Sequence, residues 1–188
     1  CFDISHLQGE SAVGSRVFFV NGRPQPHLYR RFNVKTVEDT RDDYANLEEV
    51  VSRRFFRARS TNGLVEKDDA WSVPDIVVID GGKGQLTAAL KGMAKANFFP
   101  SNMASVNGDG DEYFFEPNTY DENGAPPIFV PVLALAKGEE EVFQPGSKYS
   151  LNETADSPAL LLLRALRDES HRFAVSSHKK RRSKNMKL

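Results

Sequence analysis

The stretch Val73-Pro-Asp-Ile-Val-Val-Ile-Asp-Gly-Gly-Lys83 constrains this chain more than any other. Ile76 to Ile79 is a short, unbroken, β-branched run, which predicts a strand buried on both faces, as in a parallel or mixed sheet. The run ends on a carboxylate, Asp80, and the next two residues, Gly81 and Gly82, allow a sharp turn. Leu86, Ala89, Leu90 and Met93 then share one side of a helix. Open α/β sheets bind ligands at the carboxyl ends of their strands, so Asp80 stands where a ligand is expected. An Asp that merely begins a strand-to-helix turn explains this segment equally well.

The remaining elements predict an α/β (α+β) domain. Cys1 to His6 reads as a strand with Phe2 and Ile4 on one face and Asp3 and Ser5 on the other. Gln8, Gly9 and Glu10 read as a turn. Ala12 to Val20 is a second strand with Val17 to Val20 as its core, Asn21-Gly22 marks a hairpin, and Leu28 to Val34 is a third strand. Asp39 to Arg59 is helical, with Tyr44, Leu47, Val51, Phe55 and Ala58 on one stripe. Its early acids, Asp42 and Asp43, and its late arginines, Arg53, Arg54, Arg57 and Arg59, complement the helix dipole. Ser60 to Asp69 is a polar loop. Asn97 to Pro127, rich in Asn, Asp, Gly and Pro, reads as a long polar insertion without regular structure. Ile128 to Ala136 is a buried strand in which Pro131 signals an edge or a bulge. Glu141 to Leu151 is a small hairpin turning at Gln144-Pro-Gly-Ser147. Ser157-Pro158 opens a final helix that runs to about Ala174, and residues 178–188 form a basic tail. This order matches a ribonuclease H-like arrangement: a mixed five-stranded sheet with helices on both faces, in which the first strand lies beside the fourth and brings Asp3 next to Asp80.

Composition narrows the classes. The 188 residues are ample for one domain with a real core. At 39% hydrophobic and 27% charged residues, with no long apolar run, the chain is neither globally disordered nor patterned as a membrane-spanning helix. A single cysteine, Cys1, excludes an internal disulfide and a cysteine-rich zinc site. The net charge of −1 neither implies nor excludes nucleic acid, but residues 178–188 hold six Lys or Arg and no acid. The chain opens without methionine and in mid-strand, so a fragment of a longer protein is expected.

Two carboxylates converging at a sheet suit a divalent cation, and hard oxygen ligands favour Mg²⁺ or Mn²⁺. On the last helix Arg164, Arg167, Asp168 and His171 share a stripe that a face turned to phosphate would need, while Leu162, Leu166 and Phe173 form the core-facing stripe. A histidine on a helix is more commonly an ordinary surface or packed residue, and dipole compensation explains Asp43.

The blocks Cys1-Phe-Asp-Ile-Ser-His6, Asp42-Asp-Tyr44, Asp75 through Leu86, Leu135-Ala-Lys137 with Glu139 to Glu141, Asp156-Ser-Pro158 and Arg167 through Ala174 with the basic run resemble the UvrC family. The likeness covers that family's C-terminal nuclease domain nearly end to end. It implies a metal-dependent DNA endonuclease that cuts 5′ to a lesion in nucleotide excision repair. Asp3, Asp80 and His171 would be its catalytic and metal-binding residues, with Asp43 as a further acid. Lys83, Arg164, Arg167, Lys137, Lys179, Lys180, Arg181 and Arg182 become candidate phosphate contacts, although ordinary surface cations read the same way. Glu139 to Glu141 reads more simply as a solvated turn. The resemblance also implies damaged double-stranded DNA and the UvrB and UvrA proteins as partners, engaged mostly through regions outside this stretch. It places the protein in a bacterial cytoplasm or an organelle. GGKG lacks Walker spacing and is not read as a nucleotide loop. Two rivals remain at this point. One is a non-catalytic nucleic-acid-binding module of the same fold; the other is an enzyme acting on a small phosphorylated substrate.

Overall fold

The strand carrying Asp3 lies beside the strand carrying Asp80. β1 (Phe2–Ser5) runs parallel to β6 (Val77–Asp80), with Phe2 opposite Ile79. A computed structural model describes residues 1–5, 12–34, 42–60, 69–103, 120–121, 123–138, 140–151 and 153–185, and beyond residue 176 the backbone alone. In chain order the remaining elements are β2 (Val13–Arg16), β3 (Phe19–Val20), β4 (Arg23–Pro24), β5 (Arg30–Asn33), α1 (Asp43–Ser60), α2 (Lys83–Ala94), β7 (Phe98–Pro100), β8 (Ile128–Val130), β9 (Val132–Leu135), β10 (Val142–Phe143) and α3 (Pro158–Asn185).

The main sheet has six strands, ordered β10-β9-β6-β1-β2-β5, where the sequence predicted five. The sixth comes from the predicted small hairpin: Val142 and Phe143 pair onto β9, and Leu151 bridges back to Val142. β6 and β9 pair in parallel and the edges are antiparallel, so the sheet is mixed. Strand alternation sorts side chains to two faces. Phe2, Val77, Ile79, Val132 and Ala134 pack against α1 and α2 in one core. Val78, Leu135 and Val142 pack against Leu160, Leu163 and Leu166 of α3 in the other. α1 and α2 approach closely because residue 92 is glycine: a Cβ there would fall 2.5 Å from the Glu48 carbonyl oxygen.

Several expectations need correction. The second strand stops at Arg16, and Phe19–Val20 pairs instead with Arg23–Pro24 in a separate hairpin. Asn21 and Gly22 both take positive φ, 51° and 72°, as a two-residue primed turn requires, so the hairpin closes without a longer connection. The third strand is shorter, because Pro26–Leu28 forms a 3₁₀ turn. Pro131 divides the predicted Ile128–Ala136 strand: β8 leaves the main sheet to pair with β7, and β9 stays in it. The insertion does not begin at Asn97. Phe98 to Pro100 is a buried strand, and the side-chain amide of Asn102 donates to the Val132 carbonyl and accepts from the Val132 N–H. Aromatics that pack on α1, as Phe98 does on Phe55 at 4.8 Å, outweigh the polar composition of the neighbouring sequence. The core-facing stripe of α3 is Leu160, Leu163, Leu166, Ser170 and Ala174, while Leu162 is exposed. α3 continues through Asn185, so most of the basic segment has helical backbone rather than forming a tail. The turn at Gln8 to Glu10, the start of the first helix at 39–41, loop positions 61–68 and insertion positions 104–119 lie outside the described residues. Among the described residues, no helix is long and apolar enough to cross a membrane.

Candidate active site

β1 and β6 are parallel, so their carboxyl ends open at the same edge. A cleft of about 240 Å³ lies there, lined by Asp3, Asp43, Asp80, Gly82, Gln85 and Lys137 among others. Asp80 ends the buried β6 run and Asp3 sits within β1; both are more than nine-tenths buried. Asp43 enters from the first turn of α1, whose N-terminus points to the same edge. Gln85, which sequence reasoning passed over, accepts a hydrogen bond from the Gly82 N–H at 3.1 Å and fixes the turn after Asp80. Its position three residues after the helix-capping glycine was the available signal.

The carboxylates are electrostatically uncomfortable. Burial, reinforced by the neighbouring charge of Asp80, pushes the Asp3 carboxyl up to about 6; Lys137, Ser5 and His171 act against this. Burial raises Asp80 as well, opposed by Lys137, Arg167 and His171. Ser5 donates to Asp3 Oδ2 at 3.2 Å. Asp80 has less: both its oxygens are buried without a hydrogen bond, and its nearest cation, Lys137 Nζ, stands at 3.7 Å. Acceptor oxygens left open at this depth are costly, and a bound cation would satisfy them. The oxygen-only donor set of Asp3 and Asp80 fits a hard divalent ion. Among the described residues, no three His, Cys, Asp or Glu side chains converge as a ready-made metal cage. His171 is exposed on α3, yet close enough for its charge to act on both carboxylates.

The candidate phosphate contacts are distributed differently. Lys137 belongs to the cleft. Lys83 packs over the Phe143 ring at 5.1 Å and donates to the Lys148 carbonyl. Arg164 and Arg167 converge on Glu140, at 2.9 Å from Arg164 Nε and 2.7 Å from Arg167, which holds the Glu140 carboxyl below its usual range. This clamp ties α3 to the segment that carries Lys137. Glu140 is therefore not a solvated turn residue; its partners lie over twenty residues away, and no local pattern announces them. Glu139 and the side chains of Lys179, Lys180, Arg181 and Arg182 lie outside the described residues.

Residues 1–175 match the family model described as the UvrC RNAse H endonuclease domain. The chain is 40% identical over 190 residues to the UvrABC system protein C of Desulforudis audaxviator, covering 97% of this chain and 26% of that protein. It is 41% identical to the protein of the same name from Dictyoglomus thermophilum, over 98% of this chain and 24% of that protein. For Methanosarcina barkeri the figures are 38%, 99% and 28%. The chain thus spans about a quarter of the length of the curated relatives it matches.

Proposed function

Because the chain belongs to the UvrC ribonuclease H endonuclease family, we propose that it is the nuclease domain that cuts the phosphodiester bond 5′ to a lesion in nucleotide excision repair. The observation that carries this reading is the burial of Asp3 and Asp80 side by side in one cleft, with the Asp80 oxygens unsatisfied. We read the mixed sheet, with its helices on both faces, as ribonuclease H-like. Damaged double-stranded DNA is the substrate, and the names of the relatives point to the other UvrABC components, UvrA and UvrB, as partners.

Asp3 and Asp80 would hold Mg²⁺ or Mn²⁺. A divalent cation in that position supplies Lewis-acid polarisation of a phosphate oxygen and a more acidic attacking water. Asp43, which also lines the cleft, would be a further acid of the site. Lys137 faces the same space and compensates the phosphate charge. His171 completes the site from α3 as third ligand or as proton carrier, and the Glu140 clamp positions the helix that bears it. Lys83, Arg164, Arg167 and the basic helical extension contact flanking phosphates. For the two arginines, a phosphate must compete with Glu140.

The test uses Asp3→Asn and Asp80→Asn in the complete protein. Both variants should lose incision, and neither should gain melting temperature on adding Mn²⁺, whereas the wild type should. Incision at the normal rate by either variant would remove the acid pair from the mechanism. A manganese titration of His171→Ala then separates its two roles. A weakened affinity identifies a ligand; wild-type affinity with the rate lost identifies the proton carrier.

A further inference from the structure

Tyr44 occupies a position that sequence periodicity assigns to the core, yet it is 52% exposed. The other members of its stripe, Leu47, Val51, Phe55 and Ala58, are buried to 3% exposure or less. The difference comes from where α1 begins. Asp42 accepts the backbone N–H groups of Tyr44 and Ala45, both at 3.0 Å, and this cap fixes the first turn at the edge where the cleft opens. Asp43, the preceding residue, lines that cleft.

The ring meets the scaffold on one side. It rests on Gly84 in the first turn of α2, where a Cβ would fall 2.6 Å from Cε1 and from Oη, and 2.7 Å from Cζ. A side chain at residue 84 would force the ring to shift. Gly82 and Gln85, on either side of Gly84, line the cleft. One side of an aromatic ring is thus packed on the scaffold, and the residue remains half exposed next to Asp43, which lines the cleft.

We propose that Tyr44 is a stacking platform for a nucleobase of the strand whose phosphate lies at Asp3 and Asp80. This rests on the nuclease reading given above. Every base presents a π-face, so an aromatic platform holds a single strand in register without selecting sequence. A neutral ring suits this role beside a cleft already lined by acids, because it adds affinity for the nucleotide without further repulsion of its phosphate. Phe56 is a built-in comparison: it is 50% exposed on the same helix, but about 18 Å further along its axis from the cleft.

The experiment places 2-aminopurine at each nucleotide flanking the scissile phosphate and measures its fluorescence on binding to the complete protein, alongside incision. Wild type and Tyr44→Phe should quench the probe at one position. Tyr44→Ala and Tyr44→Leu should not, and should cut about five- to a hundredfold more slowly. Replacing that nucleotide by an abasic residue should slow wild type to the level of Tyr44→Ala and leave Tyr44→Ala unchanged. Phe56→Ala should behave as wild type. Quenching and cutting by Tyr44→Ala equal to wild type would overturn the proposal. So would a Tyr44→Phe variant as defective as Tyr44→Ala, since that would assign the effect to the hydroxyl. Wild-type protein that cuts while quenching at no position overturns the platform alone; wild-type protein that does not cut overturns the nuclease reading and the platform with it.

Discussion

Among the described residues, two pairs of like charges are buried, one beside the first turn of α1 and one further along it. At the cleft, Asp3 and Asp80 face each other's charge with Asp43 nearby. About three turns along the helix, roughly 16 Å away, Arg54 meets Arg16 of β2, and both are at least 98% buried. Burial pulls the two guanidinium groups down, to about 9 for Arg16 and about 10 for Arg54. The pairs differ in what satisfies them. Arg16 donates to the carbonyls of Ala70 and Leu28, and Arg54 to those of Trp71 and Ser72. The Trp71 indole lies 5.5 Å and 5.7 Å from the two guanidinium centres. Only Arg16 Nε lacks a partner among these buried nitrogens. At the cleft both Asp80 oxygens lack one. A buried like-charge pair becomes a structural fastening when fixed dipoles answer it. When its valences stay open, it is poised for a ligand.

The largest effect is expected at the arginines. Arg54→Ala leaves the buried Ser72 carbonyl and the partly buried Trp71 carbonyl without their donor, at up to about 1–3 kcal/mol each, so the melting temperature should fall by roughly 10 °C at about 2–4 °C per kcal/mol. Calorimetry showing no change would deny the fastening role. Removing charge at the cleft should act in the opposite direction. Asp3→Asn in the metal-free domain should raise the melting temperature at pH 7 by a few degrees. The pH dependence has a definite sign. The folded carboxyl titrates near 6, against 3.8 for the unfolded group, so the folded state holds the extra proton between those values. Stability contributed by Asp3 therefore grows as pH falls through 6 towards 4, and is lost as pH rises through 6. Asp3→Asn should flatten the profile and leave only the contribution of Asp80, whose carboxyl burial also raises; a wild-type melting profile identical to that of the variant would show that the Asp3 carboxyl is not strained. The smallest effect on the fold is expected from the third group of like charges, on the helical extension. Neutralising Lys179, Lys180, Arg181 and Arg182 should leave melting unchanged and reduce the salt slope of DNA binding by about 0.9 per lost contact, equally for all sequences. An unchanged slope would exclude these residues from the phosphate path.

The acids were legible because a strand pattern is local. The alternation Phe2-Asp3-Ile4-Ser5 and the run ending at Asp80 each name a carboxylate in a place where strands seldom bury one. Arg54 and Glu140 were not legible. Arg54 sits among arginines that all suit a helix C-terminus, and only its contacts with Trp71 and Ser72 single it out. Glu140 lies in a run of three acids that reads as a turn, and it acquires its role from α3. The basic segment reads as a tail because nothing apolar anchors it, although the backbone of α3 continues through it.

The order of the principal strands and helices, the two acids at the sheet and the family are all set by the amino-acid order alone, because each depends on spacing within a few residues or on the identity of short blocks. Tertiary packing settled which charges are answered and which stay open. It divided the Ile128–Ala136 run between two sheets at Pro131. It left Tyr44 half exposed against Gly84 of another helix while burying the rest of its stripe, because α1 begins only one residue before it. Those outcomes depend on partners distant along the chain, and the periodicity of one segment carries no information about the dipoles or rings that a second segment will bring to it.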